Sequence, residues 1–294
     1  MLNHQFTGMG VALITPFTRD GAVSFDALER LVERHITSQT DYLVLCGTTA
    51  ETPTLSETER QTIVSFVTDR VAGRLPVVLG IGGNDTRHVV ESLPAAGLSA
   101  ISAILSVAPY YNKPSQEGLY RHYKAIAEAT SLPIILYNIP GRTGVTIAAS
   151  TVVRLAEDFE NIVAVKEASG NLAQINEILQ HAPESFQVIS GDDALTLPML
   201  ALGAVGVISV LGNAFPREFR QMVHLALQGD FSAARAIHRR FSPLMHQLTV
   251  DGNPAGIKGT LSEMGLIENS LRLPLLPASL QTMANIRQIL ETLR

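Results

Sequence analysis

The sequence holds one cysteine, Cys46, among 294 residues. An internal disulfide is thereby excluded, and a reducing cytoplasm is the expected compartment. No uncharged apolar stretch reaches the roughly 18 residues that suggest a membrane-spanning helix, so no span is expected. The opening residues Met1-Leu2-Asn3-His4-Gln5-Phe6 lack the basic-then-apolar pattern of a secretion leader. Basic runs are missing as well, and the net charge of −5 makes nucleic acid an unexpected partner. The eight histidines are scattered, with no H-x-x-x-H pair and no Cys/His cluster, so no metal is expected. A phosphate-cradling G-x-x-x-x-G-K-[ST] loop is absent. Gly80-Ile81-Gly82-Gly83-Asn84 lacks the full G-x-G-x-x-G spacing and reads as a strand-to-helix turn.

What is present is a regular alternation. Hydrophobic residues make up 46% of the chain, enough for a large core. Short apolar runs alternate with amphipathic stretches of helical length. The runs Val11–Thr15, Tyr42–Cys46, Pro76–Leu79, Ile101–Val107, Pro133–Tyr137, Ile162–Lys166, Gln187–Ser190 and Val205–Ser209 are candidate strands. Most are almost continuously apolar, as strands covered on both faces are. Helix starts are marked by Ser24, by the capping box Ser56-Glu57-Thr58-Glu59, by Asp85 and by Ser115. Eight β/α units without a hairpin signal predict an α/β fold, a closed (β/α)8 barrel over residues 1–229. Residues 230–294 carry no strand signal. They read as a C-terminal helical domain with helices at Phe231–Leu248, Ala255–Met264 and Leu280–Leu293.

Barrel enzymes carry their chemistry at the C-terminal ends of the strands. Lys166 ends the sixth strand; an amine there can attack a carbonyl carbon and form a Schiff base. The plainer reading is a surface lysine or a Lys166–Glu167 ion pair. Tyr137, at the end of the fifth strand, is a candidate proton shuttle or simply a packed ring with a wet hydroxyl. Gly47-Thr48-Thr49 offers N–H groups and hydroxyls to a carboxylate, or is an ordinary loop. Arg142 lies in a Pro/Gly loop, where a guanidinium grips carboxylates bidentately, or it is a surface arginine. Tyr110 and Tyr111 are an aromatic pair, one able to face the cavity and one a partner subunit. Asp192-Asp193 resembles a metal pair, but Asp193 reads better as a helix N-cap for Ala194-Leu195.

Five motifs in register carry a family resemblance along essentially the whole chain. They are G-T-T-x-E at Gly47–Glu51, P-Y-Y-N-K-P at Pro109–Pro114, Y-N-I-P-G-R-T-G at Tyr137–Gly144, V-K-E-A at Val165–Ala168 and G-D-D at Gly191–Asp193. Together they resemble the pyruvate-dependent Schiff-base lyase and synthase family. The resemblance implies a barrel with C-terminal helices, a homotetramer built as a dimer of dimers, and no metal or organic cofactor. It implies that Lys166 condenses with pyruvate, and that the enamine attacks L-aspartate 4-semialdehyde in a step toward diaminopimelate and lysine. Thr48, Tyr137 and Tyr111 match the family's proton relay, with Tyr111 entering the neighbouring subunit's site. Thr48 and Thr49 match its pyruvate-carboxylate binders, Arg142 the group receiving the second carboxylate, and Gly191 and Ile208 the pocket lining. Arg142 favours the synthase branch over sialic-acid lyases and sugar-acid aldolases. Asn84 and Tyr110 match an allosteric lysine site. Thr52, Pro53, Glu57, Arg60 and His88 depart from it, so lysine feedback is expected to be weak or absent. A barrel that only senses a small carboxylate is the alternative from another class.

Overall fold

The computed structural model describes residues 6–95 and 100–293. Met1–Gln5, on which most of the leader reading rests, lie outside them. Eight strands run β1 (Gly8–Ala12), β2 (Tyr42–Leu45), β3 (Val77–Gly80), β4 (Ala103–Val107), β5 (Ile134–Asn138), β6 (Ile162–Glu167), β7 (Gln187–Ser190) and β8 (Gly206–Ser209). All neighbours pair in parallel, and β8 closes on β1 to make a barrel. Helices α1 (Phe25–Thr37), α2 (Glu57–Val71), α3 (Thr86–Ala95), α4 (Gln116–Glu128), a one-turn α5 (Pro140–Thr143), α6 (Ala149–Asp158), α7 (Leu172–His181), α8 (Thr196–Leu202) and α9 (Pro216–Leu227) fill the connections. Then come α10 (Phe231–Val250), α11 (Ala255–Glu263) and α12 (Leu280–Leu293). Among the described residues no helix is long and apolar enough to cross a membrane.

Apolar side chains divide into two layers, because strand residues alternate in direction. Ala12, Tyr42, Val44, Val78, Ala103, Leu105, Ile135, Tyr137, Ala164, Ile189 and Ile208 fill the barrel interior. Met9, Val11, Leu43, Leu45, Val165 and Val207 face outward, into the shell packed under the helices. The helices supply their share through i, i+3 and i+4 spacing. In α1 the buried residues are Ala27, Leu28, Leu31, Val32 and His35. The capping box of α2 forms as the sequence predicts: Ser56 Oγ accepts from Glu59 N, and Glu59 Oε2 accepts from Ser56 N. Ser115 caps α4 through Gly118 N. Ser24 precedes α1 but makes no side-chain cap bond.

The first strand lies earlier than its sequence predicts, at Gly8–Ala12 in place of Val11–Thr15. Gly8 and Gly10 weaken the apolar signal, yet closure needs them. A Cβ at Gly10 would sit 2.1 Å from the Tyr42 ring, which fills the barrel floor at this level. On the partner strand, a Cβ at Gly206 would sit 2.0 Å from the Gly8 carbonyl oxygen. After α9 the chain turns into α10, which packs along α9 and α8. Helix α12 lies against α10 and α11, and α11 reaches the turn at Leu211–Asn213.

Gly10→Ala should therefore lower stability by about 1–3 kcal/mol, the usual cost of overpacking, read as a lower urea midpoint. Adding Tyr42→Leu to the same chain should recover part of that loss, because it removes the ring the new methyl meets.

Candidate active site

The residues at the C-terminal ends of β4 to β7 share one level of the barrel. Val107 pairs with Tyr137, Tyr137 with Lys166, and Lys166 with Ile189. Ala164 lies inside the barrel, so Lys166, two residues on, also points inward. Glu167 points outward by the same rule. The Lys166–Glu167 ion pair is thereby excluded: Glu167 is held by Asn138, Ser169 and Gln174 at 2.6, 2.6 and 3.1 Å. Lys166 is 5% exposed, and its Nζ lies 4.2 Å from the centroid of the Tyr137 ring. Tyr137 is equally buried. Gly191 sits beside the lysine tail; a Cβ there would come within 3.0 Å of Lys166 Cε and 2.8 Å of Ala168 Cβ. The glycine is thus the space in which the lysine's last methylenes move. Ile208 lies on β8, the strand on the far side of β7 from Lys166, and is buried.

The loop after β2 supplies the hydroxyls. Cys46 turns the chain with φ 53°, and Thr48–Ala50 form a single 3-10 turn. Thr49 is buried and Thr48 half-buried. Arg142 occupies α5, a helical turn where the sequence suggested only a loop. Pro140 starts that turn, and Gly144 ends it with φ 73°. Arg142 itself is exposed, and its Nη2 donates to Asn253 O at 3.1 Å. Tyr111 lies apart from this cluster. It has φ 74° and is 88% exposed, so it points away from its own barrel. Among the described residues, the Thr48, Tyr137 and Tyr111 hydroxyls share no hydrogen bond within this chain. Asn84 and Tyr110 share a partner, Asn112, which donates Nδ2–H to Asn84 O and N–H to Tyr110 O.

A family model described as the dihydrodipicolinate synthetase family matches residues 5–293. The chain belongs to that family. It is 59% identical over 293 residues to the 4-hydroxy-tetrahydrodipicolinate synthase of Parabacteroides distasonis, covering 100% of this chain and 99% of that one. The crystal structure of dihydrodipicolinate synthase from Aquifex aeolicus superposes with a TM-score of 0.95 at 45% identity, over 98% of each chain. The chloride-inhibited enzyme of Acinetobacter baumannii, crystallised with pyruvate, gives 0.94 at 41% identity, over 97% of this chain and 98% of that one.

Around this family site lies a set of buried groups that the sequence did not reveal. Glu51, with φ 55°, is fully buried and forms an ion pair with Lys258 of α11. Its second oxygen accepts from Arg272 N at 3.0 Å. Burial pushes the Lys258 ammonium down to about 8, with Glu51 pulling the other way. Asn253, in the turn between α10 and α11, donates Nδ2–H to Thr49 Oγ1 at 2.9 Å. Both partners are more than 200 residues from the loop they hold. Local pattern therefore gave no signal beyond the turn residues Asp251-Gly252-Asn253-Pro254.

Asp193 is not the helix cap its sequence suggested. Leu195 is the N-cap of α8, and it is Asp192 Oδ1 that accepts from Ala194 N. Asp193 Oδ2 instead accepts from Val210 N and Leu211 N at 3.1 and 2.7 Å, tying the β7 loop to the β8 loop. Its Oδ1 is buried without a hydrogen bond. Burial pushes this carboxyl up to about 6, against the opposing pull of the Leu211 and Val210 N–H groups. An unfolded Asp titrates near 3.8. Between those values the folded chain keeps a proton that the unfolded chain has lost. The group's contribution to stability is thus full below pH 3.8 and lost as pH rises through 6. From pH 4 to 7 the parent chain should lose about 2–3 kcal/mol more than Asp193→Asn, measured as the difference in urea midpoints. A difference independent of pH would contradict this.

Proposed function

We propose that this chain is a 4-hydroxy-tetrahydrodipicolinate synthase that joins pyruvate to L-aspartate 4-semialdehyde. The observation that carries the reading is the inward amine of Lys166, without a carboxylate partner among the described residues, with a phenol over its head and a glycine-made gap at its tail. The amine attacks the ketone carbon of pyruvate. Loss of water gives an imine, in which the former ketone carbon accepts electrons. A methyl proton then leaves, and the enamine carbon attacks the aldehyde carbon of the second substrate. The substrate's own amino group adds to the imine carbon, closes the ring and expels Lys166. Every electron sink in this sequence is the lysine imine, so the reading needs no further cofactor.

Tyr137 is the proton carrier nearest the amine. Thr48 and Thr49 receive the keto acid's carboxylate, with Gly191 and Ile208 shaping its pocket. Arg142 receives the carboxylate of the aldehyde substrate. Tyr111 supports an assembly reading: an exposed phenol on a left-handed residue suits insertion into a neighbouring barrel, completing a relay with Tyr137 and Thr48 in a homotetramer. On this reading residues 1–229 are the catalytic barrel, and residues 230–294 are a helical domain bracing it. Asn84 and Tyr110 match an allosteric lysine site whose other positions are changed, so lysine feedback is weak or absent on this reading. A single buried thiol suits a cytoplasmic enzyme.

Borohydride reduction in the presence of pyruvate should add one pyruvyl unit to the parent chain at Lys166, seen by peptide mass. Lys166→Ala should take up none while keeping the parent's unfolding midpoint within about 1 kcal/mol. An adduct on another lysine would reject the assignment. Arg142→Ala should lower kcat/KM for the aldehyde by about 30–100-fold, the worth of a hydrogen-bonded charge pair, with the pyruvate KM nearly unchanged. Turnover of N-acetylneuraminate or a 2-keto-3-deoxy acid without condensation would favour the aldolase branch instead.

A further inference from the structure

We propose that Asn253 is a positioning residue that sets both anion-binding groups of the site from outside the barrel. The inference rests on the proposed roles of Thr49 and Arg142. One residue touches both: its side-chain Nδ2 donates to Thr49 Oγ1 at 2.9 Å, and its backbone oxygen accepts from Arg142 Nη2 at 3.1 Å. A hydroxyl has one hydrogen to give. Because Thr49 accepts from Asn253, its own hydrogen points away from the amide and is left for a ligand. Among the described residues Thr49 Oγ1 makes no other hydrogen bond. Thr49 is 2% exposed and β-branched, so its side chain is held while the hydroxyl is aimed.

The support behind Asn253 is firm. Pro254 follows it, α11 begins at Ala255, and Lys258 one turn on pairs with Glu51. The loop Gly47–Glu51 is therefore gripped twice by the same short stretch of chain, at Thr49 through an amide and at Glu51 through a buried charge. The neutrality of the amide matters. A carboxylate of the same shape would accept the Thr49 hydrogen and pair with the Arg142 guanidinium, withdrawing both from anionic substrates. Asn253 Oδ1 is itself buried without a hydrogen bond, so the amide carries no second obligation that fixes it elsewhere.

The two contacts come from different atoms, and substitution separates them. Asn253→Ala removes the amide but keeps the backbone oxygen. Its pyruvate KM should rise about tenfold, while the aldehyde KM stays within about twofold of the parent. Asn253→Asp preserves size and should raise the KM of both substrates. In a Thr49→Val background, Asn253→Ala should raise the pyruvate KM no further, because the hydroxyl it aims is gone. Borohydride trapping across a pyruvate titration reads the same affinity without the second substrate. If Asn253→Ala is too unstable to assay, the isosteric Asn253→Asp carries the test. A pyruvate KM within twofold of the parent in Asn253→Ala or Asn253→Asp overturns the inference, as does full additivity with Thr49→Val. A parent chain that traps no pyruvate at all overturns the functional reading beneath it, a separate result from an active parent with unaltered variants.

Discussion

The pleat of a closed parallel barrel governs this site. Adjacent strand residues must point to opposite faces, so the last two residues of each strand cannot share a task. On β5 and β6 the inward member is Tyr137 or Lys166, and the outward member is Asn138 or Glu167. The inward groups meet over the cavity. The outward groups, though polar, are fully buried under the helices and must find partners there. Asn138 accepts from Ile147 N at 3.0 Å and donates to Glu167, which in turn holds Ser169 and Gln174. Ser190 and Ser209 repeat the pattern on β7 and β8, bonding Asp192 N and Gly212 N in the loops that follow. Reactive groups and the polar residues that fix their loops thus alternate along the same strands. The burial of Glu167, which pushes its carboxyl up in pKa, is the cost of that second layer.

Two buried lysines illustrate how surroundings divide labour between like side chains. Lys258 is enclosed completely, faces Glu51 and donates to Ser270 O at 3.0 Å. Burial there disfavours the charged amine, but the Glu51 carboxylate and the Ser270 carbonyl hold it, and full enclosure leaves no room for a substrate. Lys166 is nearly as buried, yet it faces a phenol ring and an open glycine wall. An ion pair of the Glu51 kind is costly to break from one side, about 3–5 kcal/mol, and so makes a durable tether. It fastens the hydroxyl-bearing loop after β2 to helices that join the chain only after the barrel is closed. The C-terminal helices are in this sense part of the site's framework.

The sequence revealed the elements whose signal is local. Tyr42–Leu45, Ile134–Tyr137 and Ile162–Val165 are continuous apolar or β-branched runs, and their strands lie close to where the runs do. The strand-end places of Lys166 and Tyr137 were legible because a barrel converts strand ends into one ring, whereas Gly191 and Ile208 were singled out by the family resemblance. The first strand was misread because glycine counts against a strand locally, whereas Gly8, Gly10 and Gly206 answer in turn to the Asp41 side chain, the Tyr42 ring and the Gly8 backbone. Asp193 was misread for a related reason. An aspartate before a helix has a familiar local use, and here two N–H groups on the next loop outbid it. The roles of Glu51, Lys258 and Asn253 were not legible, although Glu51 ends a motif and Asn253 lies in a turn, because each acts across most of the chain's length.

These layers differ in how they bear on chemistry. On the proposed reading, the keto-acid half is built from inward strand residues and a buried threonine, with one gap at Gly191 for the lysine tail. The other half is presented at the surface, by Arg142 on a one-turn helix and by Tyr111 on a left-handed residue. A buried half suits the step that must hold an imine in one geometry while a proton leaves. An exposed half suits the selection of a second substrate, since changes there leave the lysine, its phenol and the strands beneath them untouched. On the proposed reading, the choice of aldehyde therefore rests with α5 and the loop after β4. In this chain those two segments are joined by the Tyr111 N–H to Thr143 O contact of 3.4 Å, so Arg142 and the exposed Tyr111 are set by one piece of backbone.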